Sequence, residues 1–537
     1  MRSALGIYDW GIVGLYFGFV AVVALYASGK QTSTKEYFLG GRQLPWWAAS
    51  LSIVATETSA VTFIGVPAIA YLRGDWSFMQ LVLGFAIGRL FLAAFLIKVF
   101  YQDEYQTVYE YLGWRFGTPT RVVASLLFVA GRIAGSGVRL MAGCMAVGVA
   151  ISAGAASEES HTIIRVAIVT LGIFGVAFTL FGGIRAVVWT DVLLGLTFMA
   201  GGVAAAAFLY TQLSETAGFG PEAFALKTRL LHISWNIADG KSLFAGLVGG
   251  FFLTLATHGT DQDIVQRMLT CRDGRQGSYS VLGSAVIILP LFLLFLLVGT
   301  LLSFFYAQPR GYDIPEQANF IFPVFIVREL PAGLSGFLIA GLLAAALSSL
   351  TSALNALAAT TINDLYRPLF RHSHSPEAEA RLLALSRWST LGWGIVLVGM
   401  ALVFLGGDQN IVNLALGVLA YFYGGLLGAF LLARFTTRGS SLSVIAGMLL
   451  SVPVVLLLQL RQFLISPEKA PSLLQDWLAA IPSEVSQIIT EKIPEIAFPF
   501  WIILGTGVTL CIGILGNRRF APRFRVARTT DAAHARG

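Results

Sequence analysis

Oxygen-bearing side chains interrupt two long apolar segments of the chain, and these side chains are suited to bind a cation. In the first segment, Ser, Thr and Glu cluster between positions 52 and 62 and are followed by a Gly and a Pro. In the second, Thr254, Thr257 and His258 precede a Gly-Thr-Asp sequence. Such interruptions indicate unwound helices, whose free carbonyls can coordinate a small hard cation. The alternative is that Gly, Ser and Thr only allow close helix packing.

A third apolar segment carries a polar face. Ser348, Thr351, Ser352 and Asn355 recur at the spacing of one helical face, and Ser349 lies beside them. Hydroxyls supply acceptor oxygens without bringing charge into a bilayer, and hard cations prefer oxygen ligands. This face therefore suits Na⁺. The alternative is a Ser/Thr contact between two membrane helices.

Charged side chains also lie within apolar segments. Asp191 is either functional at membrane depth or an N-terminal helix charge near the interface. Arg132 and Arg139 lie seven residues apart, so both project from nearly the same face. They either bind a solute carboxylate bidentately or pair internally with Glu57 or another acid. Arg89 has the same ambiguity.

The composition is that of a polytopic membrane protein. Of 537 residues, 56% are hydrophobic and only 12% are charged, whereas globular chains have about 25% charged residues. Thirteen segments are near the length of roughly 20 residues that a spanning helix needs. They cover approximately residues 8–27, 45–72, 77–98, 121–150, 162–183, 188–210, 242–264, 278–306, 334–363, 382–405, 410–433, 440–461 and 497–516.

Neither a cleavable signal peptide nor a cysteine-based site is predicted. The apolar stretch 10–27 lacks a basic flank and is interpreted as a retained helix. Cys144, Cys271 and Cys511 lie far apart, which favours neither a disulfide framework nor a metal site.

The distribution of Lys and Arg predicts the orientation in a cell inner membrane. With the N-terminus outside, more than twice as many Lys and Arg fall in cytoplasmic segments as in external ones. The net charge of +7 is therefore assigned to topology rather than to an anionic partner. The loop 265–278 and the basic tail 517–537 are predicted to be cytoplasmic.

The two interrupted segments begin two blocks of five. An odd number of helices per block inverts the second block relative to the first, and paired broken helices mark a transport site. The predicted fold is all-α, with about 13 transmembrane helices and an inverted 5+5 repeat. Its parts are a leading helix and loop (1–40), the first repeat (41–211), the second repeat (242–433), two peripheral helices with an external loop (440–516), and the tail (517–537).

The external loop 462–496 contains apolar residues at helical spacing. Over Ser472–Ile488 they predict an amphipathic helix, which either lies on the outer membrane surface or forms a lid on the bundle. They are Leu473, Leu474, Trp477, Leu478 and Ile481.

Six motifs, in order, resemble the sodium:solute symporter family, which includes the sodium/glucose, sodium/proline and sodium/sialic acid symporters. The motifs are LPWWAASLSIVATETSAVTFIG, YEYLGWRFG, GGIRAVVWTDVL, GTDQDIVQRML, LSSLTSALN and YFYGGLLGAF. The resemblance covers segments 1 to 11 and implies a leucine-transporter-type (LeuT-type) core preceded by one extra helix.

The resemblance also implies sodium-binding residues. By position, the principal sodium site of the family falls on Ala55, Thr58, Ala345, Ser348 and Ser349. The second sodium site that some members have falls on Asp191, Ser348, Thr351 and Ser352. Na⁺ is then the coupling ion, and no other cofactor or metal is expected.

The solute positions match the family less well. The Asn and Trp that sugar symporters use fall on Thr254 and His258, which argues against a sugar. The Arg that sialic acid symporters place against a carboxylate matches either Arg132 or Arg139. The candidate solute-binding residues are Glu57, Ser59, Thr62, Arg132, Arg139, Thr254, Thr257 and His258.

The predicted function is Na⁺-coupled import of a small organic solute, favouring a carboxylate, by alternating access. The alternatives are a proton-coupled importer using Glu57, His258 or Asp191, and a symporter-like sensor, for which the short tail leaves no room for a kinase. The sequence contains no P-loop and no convincing catalytic triad, so no enzyme is predicted. The expected partners are Na⁺, the solute and lipid, with no nucleic acid and no obligate protein partner.

Overall fold

The computed structural model describes residues 5–103, 105–152, 158–214, 218–370, 375–405, 411–470 and 472–516, and these are helical wherever they are regular. The main helices, in chain order, are α1 (Ile7–Ser28), α2 (Trp46–Glu57), α3 (Ala60–Arg73), α4 (Phe78–Phe95), α5 (Thr118–Ile151), α6 (Glu158–Leu213), α7 (Leu243–Gly259), α8 (Gln262–Leu269), α9 (Gly274–Phe305), α10 (Leu334–Thr360), α11 (Pro376–Phe404), α12 (Ile411–Phe435), α13 (Ser441–Ile465) and α14 (Trp501–Leu515).

Shorter helices lie in the connections. They are Thr34–Leu39, Gly40–Arg42, Ile97–Tyr101, Val108–Phe116, Pro221–Leu226, Ala318–Phe320, Ile321–Arg328, Thr361–Tyr366, Arg367–Leu369, Pro467–Lys469, Ser472–Ala479, Ser483–Lys492 and Phe498–Phe500. The segment Thr361–Tyr366 continues α10 as a π-helix.

The polytopic all-helical fold is confirmed, but the number of thirteen spans is not. Nine of the described helices are long and apolar enough to cross a membrane, or up to eleven if each bent pair is one span. That count takes α6 as one span, although Gly183 divides it with φ 55° and ψ −162°. Only glycine adopts such a conformation without strain, so the break falls there. The division into two repeats stays a prediction.

Both predicted interruptions are present. The helices α2 and α3 meet at 63°, and α7 and α8 meet at 64°. The helix α7 packs closely against α4, because a Cβ atom on Gly250 would lie 2.3 Å from the Leu81 carbonyl oxygen. Small residues at this interface let the two backbones touch.

The helix with the polar face lies at the centre of the bundle. In the span that begins with α10, 94% of the residues in its most apolar stretch are buried within the protein, compared with 17% in α1. The Ala- and Leu-rich sequence of α10 favours a helix, and its many Ala, Ser and Gly residues let other helices approach closely. Residues on all of its faces can therefore contact other helices, including α2 and α3.

Two boundaries differ from the sequence predictions. The loop placed at 265–278 begins inside α8, whose residues are all buried, and Ser278 is buried with its hydroxyl donating to the Ala93 carbonyl at 3.0 Å. The single external helix predicted over Ser472–Ile488 is wrong, because Pro482 begins a second short helix. The tail beyond residue 516 lies outside the described residues.

Candidate functional site

The first break leaves backbone carbonyls without helical partners. Across it, the Thr58 N–H donates to the Val54 carbonyl at 2.7 Å, and the Ser59 N–H donates to the Glu57 carbonyl at 3.0 Å. Thr58 has φ −84° and ψ 73°, outside the helical region. The carbonyl of Ala55 receives neither of these bonds. The backbone here is therefore able to offer oxygens to a cation.

Two buried hydroxyls at this break lack partners. The Ser349 Oγ of α10 and the Thr58 Oγ1 make no hydrogen bond within the described part of the chain. Ala345, one turn before Ser349, is 1% exposed. A buried polar atom without a partner costs about 1–3 kcal/mol. These oxygens fit a small cation that would satisfy them.

Asp191 is buried inside the helix bundle. Its side chain is fully buried and accepts a hydrogen bond from Ser52 Oγ at 2.6 Å. Ser348 also donates its hydroxyl to Asp191. Asp191 therefore links α2, α6 and α10 next to the unpartnered oxygens.

A buried guanidinium shares this carboxylate. Arg267 of α8 lies 3.0 Å from Asp191 and also donates to the Ser352 hydroxyl. The Thr351 hydroxyl instead donates to the Ser348 carbonyl at 3.1 Å. The structure thus brings together the four residues of the second predicted set, with Arg267 bound to two of them.

All eight candidate solute-binding residues line one cavity between the two broken helices. The volume of this cavity is about 90 Å³. Its other lining residues are mostly apolar. They include Val61, Val66, Phe78, Phe85, Leu253, Ile264 and Phe292. An apolar cavity with a few polar groups is the usual form of a small-molecule site.

The two arginines of α5 differ in their partners. Arg132 forms ion pairs with Asp261 and with Asp263, the latter at 3.0 Å. In this structure Arg132 is therefore paired internally, while it also lines the cavity. Arg139 lines the same cavity but has no ion-pair partner among the described residues. It is the arginine of the cavity that makes no contact ion pair, although Asp261 and Asp263 lie close enough to act on its charge.

Some of the remaining polar residues of the cavity are already paired with other side chains. Glu57 pairs with Arg89 of α4, and the His258 Nε2 lies 3.7 Å from Glu57. The buried Thr254 Oγ1 has no hydrogen-bond partner within the described chain. Arg89 therefore neutralises Glu57, whereas the Thr254 hydroxyl keeps its hydrogen-bonding capacity unused.

Sequence reasoning missed the charged residues around the second break. Asp261, Asp263 and Arg267 are buried together, and Tyr423 of α12 donates to Asp261 at 2.9 Å. The signal was present in GTDQDIVQRML, where two acids and one arginine adjoin a broken span. Ending that span at residue 264 placed Arg267 in a loop.

Comparisons with known proteins agree on one family. The sequence profile of the sodium:solute symporter family matches residues 37–451. The chain is 29% identical to the sodium/sialic acid symporter SiaT of Proteus mirabilis over 481 residues, covering 84% of this chain and 90% of that protein. It is 25% identical to the sodium/glucose cotransporter of Vibrio parahaemolyticus over 492 residues, covering 86% of each.

A solved structure shares the fold. A substrate-bound, outward-open Na⁺-coupled sialic acid symporter superimposes with a TM-score of 0.74 at 24% identity, covering 96% of this chain and 99% of that one. This likeness confirms the predicted LeuT-type fold class. The relatives transport different solutes, so they leave the solute of this chain open.

Proposed function

Since the chain belongs to the sodium:solute symporter family and is a multi-pass, Na⁺-coupled transporter, we propose that it imports a small organic carboxylate. The observation that carries this proposal is the unpaired guanidinium of Arg139 in an otherwise largely apolar cavity. A charge at membrane depth is costly unless it is paired. A solute carboxylate would supply the missing partner.

The chemistry of arginine favours this class of solute. A guanidinium binds a carboxylate through two parallel hydrogen bonds, which fix its orientation as well as its charge. The unpartnered hydroxyl of Thr254 offers a further polar contact in the same cavity. The solute of SiaT, sialic acid, itself carries a carboxylate, which supports the proposal.

The proposed Na⁺ ligands are those of the first break and of α10. Carbonyls of Ala55, Thr58 and Ala345 would act together with the hydroxyls of Ser348 and Ser349. Na⁺ supplies positive charge and coordination there, and the protein supplies oxygens that replace its hydration. Asp191, Thr351 and Ser352, with Ser348, form the proposed second site.

The proposal also covers location and partners. We place the N-terminus outside and the C-terminus in the cytoplasm, in a cell inner membrane, because basic residues crowd the predicted cytoplasmic side. The proposed partners are Na⁺, the carboxylate and lipid. The proposal involves no enzymatic activity, nucleic acid or obligate protein partner.

Uptake by proteoliposomes tests the solute class. The solutes are radiolabelled N-acetylneuraminate, lactate and glucose, with an inward Na⁺ gradient and choline as the replacement cation. We expect Na⁺-dependent uptake of at least one carboxylate and none of glucose. In Arg139→Gln, the loss of a charge-assisted hydrogen bond worth about 1.5–3 kcal/mol should weaken carboxylate binding by roughly tenfold to a hundredfold.

Two further variants make the result specific. Arg139→Lys keeps the charge but loses the planar fork, so its effect should be intermediate. Arg165→Gln removes an exposed arginine of α6 and should leave uptake unchanged. Uptake of glucose by the wild type, or carboxylate uptake by Arg139→Gln with wild-type affinity, would overturn the solute class.

A further inference from the structure

Five buried charges form a continuous row from the proposed sodium site to the cavity. This ion-pair row runs Asp191–Arg267–Asp263–Arg132–Asp261. The Asp191–Arg267 contact is 3.0 Å, the Arg267–Asp263 contact 2.8 Å and the Asp263–Arg132 contact 3.0 Å, and Arg132 also pairs with Asp261. One end accepts from the Ser348 hydroxyl, and the other end lines the cavity.

The row crosses three elements and is shielded from water throughout. Asp191 lies in α6, Arg132 in α5, and the other members at or in α8. Each member is at most 2% exposed. Charges in such surroundings interact much more strongly than charges in water. A change at one end is therefore felt by the next member.

The row carries one negative charge in excess, because it contains three carboxylates and two guanidiniums. A monovalent cation beside Asp191 would balance that charge. The unpaired Arg139 near the other end would in turn be balanced by a solute carboxylate. Each ligand thus neutralises one end of the same buried assembly.

The middle of the row is where it can shift. Asp263 binds Arg267 through Oδ1, with hydrogen bonds, but its Oδ2 faces Arg132 without hydrogen-bond geometry. When one carboxylate interacts with two guanidinium groups, a closer approach of one guanidinium weakens the interaction of the carboxylate with the other. The Asp263–Arg132 ion pair is therefore the weakest contact of the row and the first to break.

We infer that the ion-pair row transmits sodium binding to the solute cavity. Na⁺ beside Asp191 competes with Arg267 for the Asp191 carboxylate. Arg267 then interacts more strongly with Asp263. Asp263 releases Arg132, which stays paired with Asp261 at the cavity wall and can then join Arg139 on the carboxylate. This inference rests on the proposed function, because it takes the two ligands from there, and it adds the residues that couple them.

A pair of tyrosines on α12 tests the row with Na⁺ as the only probe. Tyr423 donates to the same Asp261 oxygen that Arg132 contacts. In Tyr423→Phe, Asp261 should hold Arg132 more tightly, so that Asp263 keeps Arg267 and Asp191 is freer for Na⁺. We expect Na⁺ to bind about threefold to tenfold more tightly, measured by thermal shift of purified protein with NaCl against choline chloride.

The matched control is Tyr421→Phe. Tyr421 lies on the same helix but donates to Gln459, away from the row, at 2.9 Å. Its removal should leave Na⁺ affinity unchanged. Unchanged or weaker Na⁺ binding in Tyr423→Phe, or equal effects of the two variants, would overturn the inference.

A double-mutant cycle separates the row from simple charge repulsion. In Asp261→Asn, Arg132 should pair more strongly with Asp263, so that Arg267 stays with Asp191. Na⁺ binding should therefore weaken by about fivefold to tenfold. In an Asp263→Asn background this effect should shrink to the part that acts through space. Equal effects of Asp261→Asn in both backgrounds would overturn the inference.

Arg139→Gln provides the control cycle. Arg139 makes no ion-pair contact with the row, but its charge acts on Asp263 through space. Any non-additivity of Arg139→Gln with Asp263→Asn therefore measures the through-space part, which the cycle with Asp261→Asn should exceed. If Asp263→Asn does not elute as a folded, monodisperse protein, the tyrosine pair decides. Because only Na⁺ is measured, a wild type that binds no carboxylate would sink the proposed solute without changing what these variants say about the row.

Discussion

The two broken helices bend by nearly the same angle, 63° and 64°, but their breaks differ in chemistry. The first break, between α2 and α3, presents mainly backbone and hydroxyl oxygens, two of them hydroxyls without partners, beside a single ion pair between Glu57 and Arg89. The second, between α7 and α8, is surrounded by ion pairs to α5 and α6. The same structural feature, a broken helix, therefore occurs twice with different side chains around it.

The difference separates binding from anchoring. Neutral, unsatisfied oxygens can accept a cation and release it, because they carry no charge that holds it permanently. Paired buried charges are expensive to separate, so they fix the second break against its neighbours. Variants at the two breaks should consequently change different properties, and that contrast can be measured.

The largest expected effect is on stability at the second break. Arg267→Gln leaves Asp191 and Asp263 without the guanidinium that lies 3.0 Å and 2.8 Å away. Breaking a buried ion pair by removing one partner costs about 3–5 kcal/mol. We expect a clear fall in melting temperature, measured by tryptophan fluorescence of the purified protein.

The comparison variant at the first break is Ser349→Ala, whose hydroxyl has no bond to lose within the described chain. Its melting temperature without Na⁺ should be close to that of the wild type. If Arg267→Gln were equally stable, the second break would not be anchored by its charges, and the contrast would fail.

A smaller effect, on ion affinity, is expected at the first break. Removing the Ser349 hydroxyl leaves Na⁺ under-coordinated at a cost of roughly 1–3 kcal/mol, or tenfold to a hundredfold in affinity. The Na⁺ concentration for half-maximal uptake should rise by that factor, and high Na⁺ should restore uptake. Linkage requires that Na⁺ and solute raise each other's affinity by the same factor.

Ser335→Ala is the control on the same helix. Its hydroxyl is buried but donates to the Leu330 carbonyl at 3.1 Å, far from the break, so the Na⁺ dependence of uptake should not change. Uptake that ignored Na⁺ and followed a pH gradient in the wild type would instead favour Glu57 and His258 as proton carriers.

The sequence was sufficient to predict the elements that bind but not those that anchor. Both breaks, the face of Ser348, Ser349, Thr351 and Ser352, and the resemblance to the family follow from local residue types and spacing. Such features depend on one helix at a time. They predicted the fold class and the coupling ion, which the comparisons confirmed.

Pairings across helices could not be predicted in the same way. Nothing in the spacing of Arg132 and Arg139 says that one meets two carboxylates and the other none, because the partners come from a helix more than a hundred residues later. Arg267 was assigned to a loop because the predicted span ended at residue 264. Its burial is a tertiary effect.

The smallest functional effect is expected from surface cysteines on either side of the second broken helix. Ile233, before α7, is 69% exposed, and Arg272, after α8, is exposed. The exposed native Cys511 is first replaced by Ser, since Cys144 and Cys271 are buried. Uptake should remain normal in both variants, because neither residue lines the cavity or the breaks.

Labelling then tests whether the second break lies between an outer and an inner surface. An impermeant thiol reagent added to intact cells should modify Ile233→Cys, whereas Arg272→Cys should react only after permeabilisation, because basic residues are retained on the cytoplasmic side. The reverse pattern would overturn the proposed orientation. Labelling of both variants in intact cells would mean that α7 and α8 do not cross the membrane together, so the second break could not anchor a spanning helix.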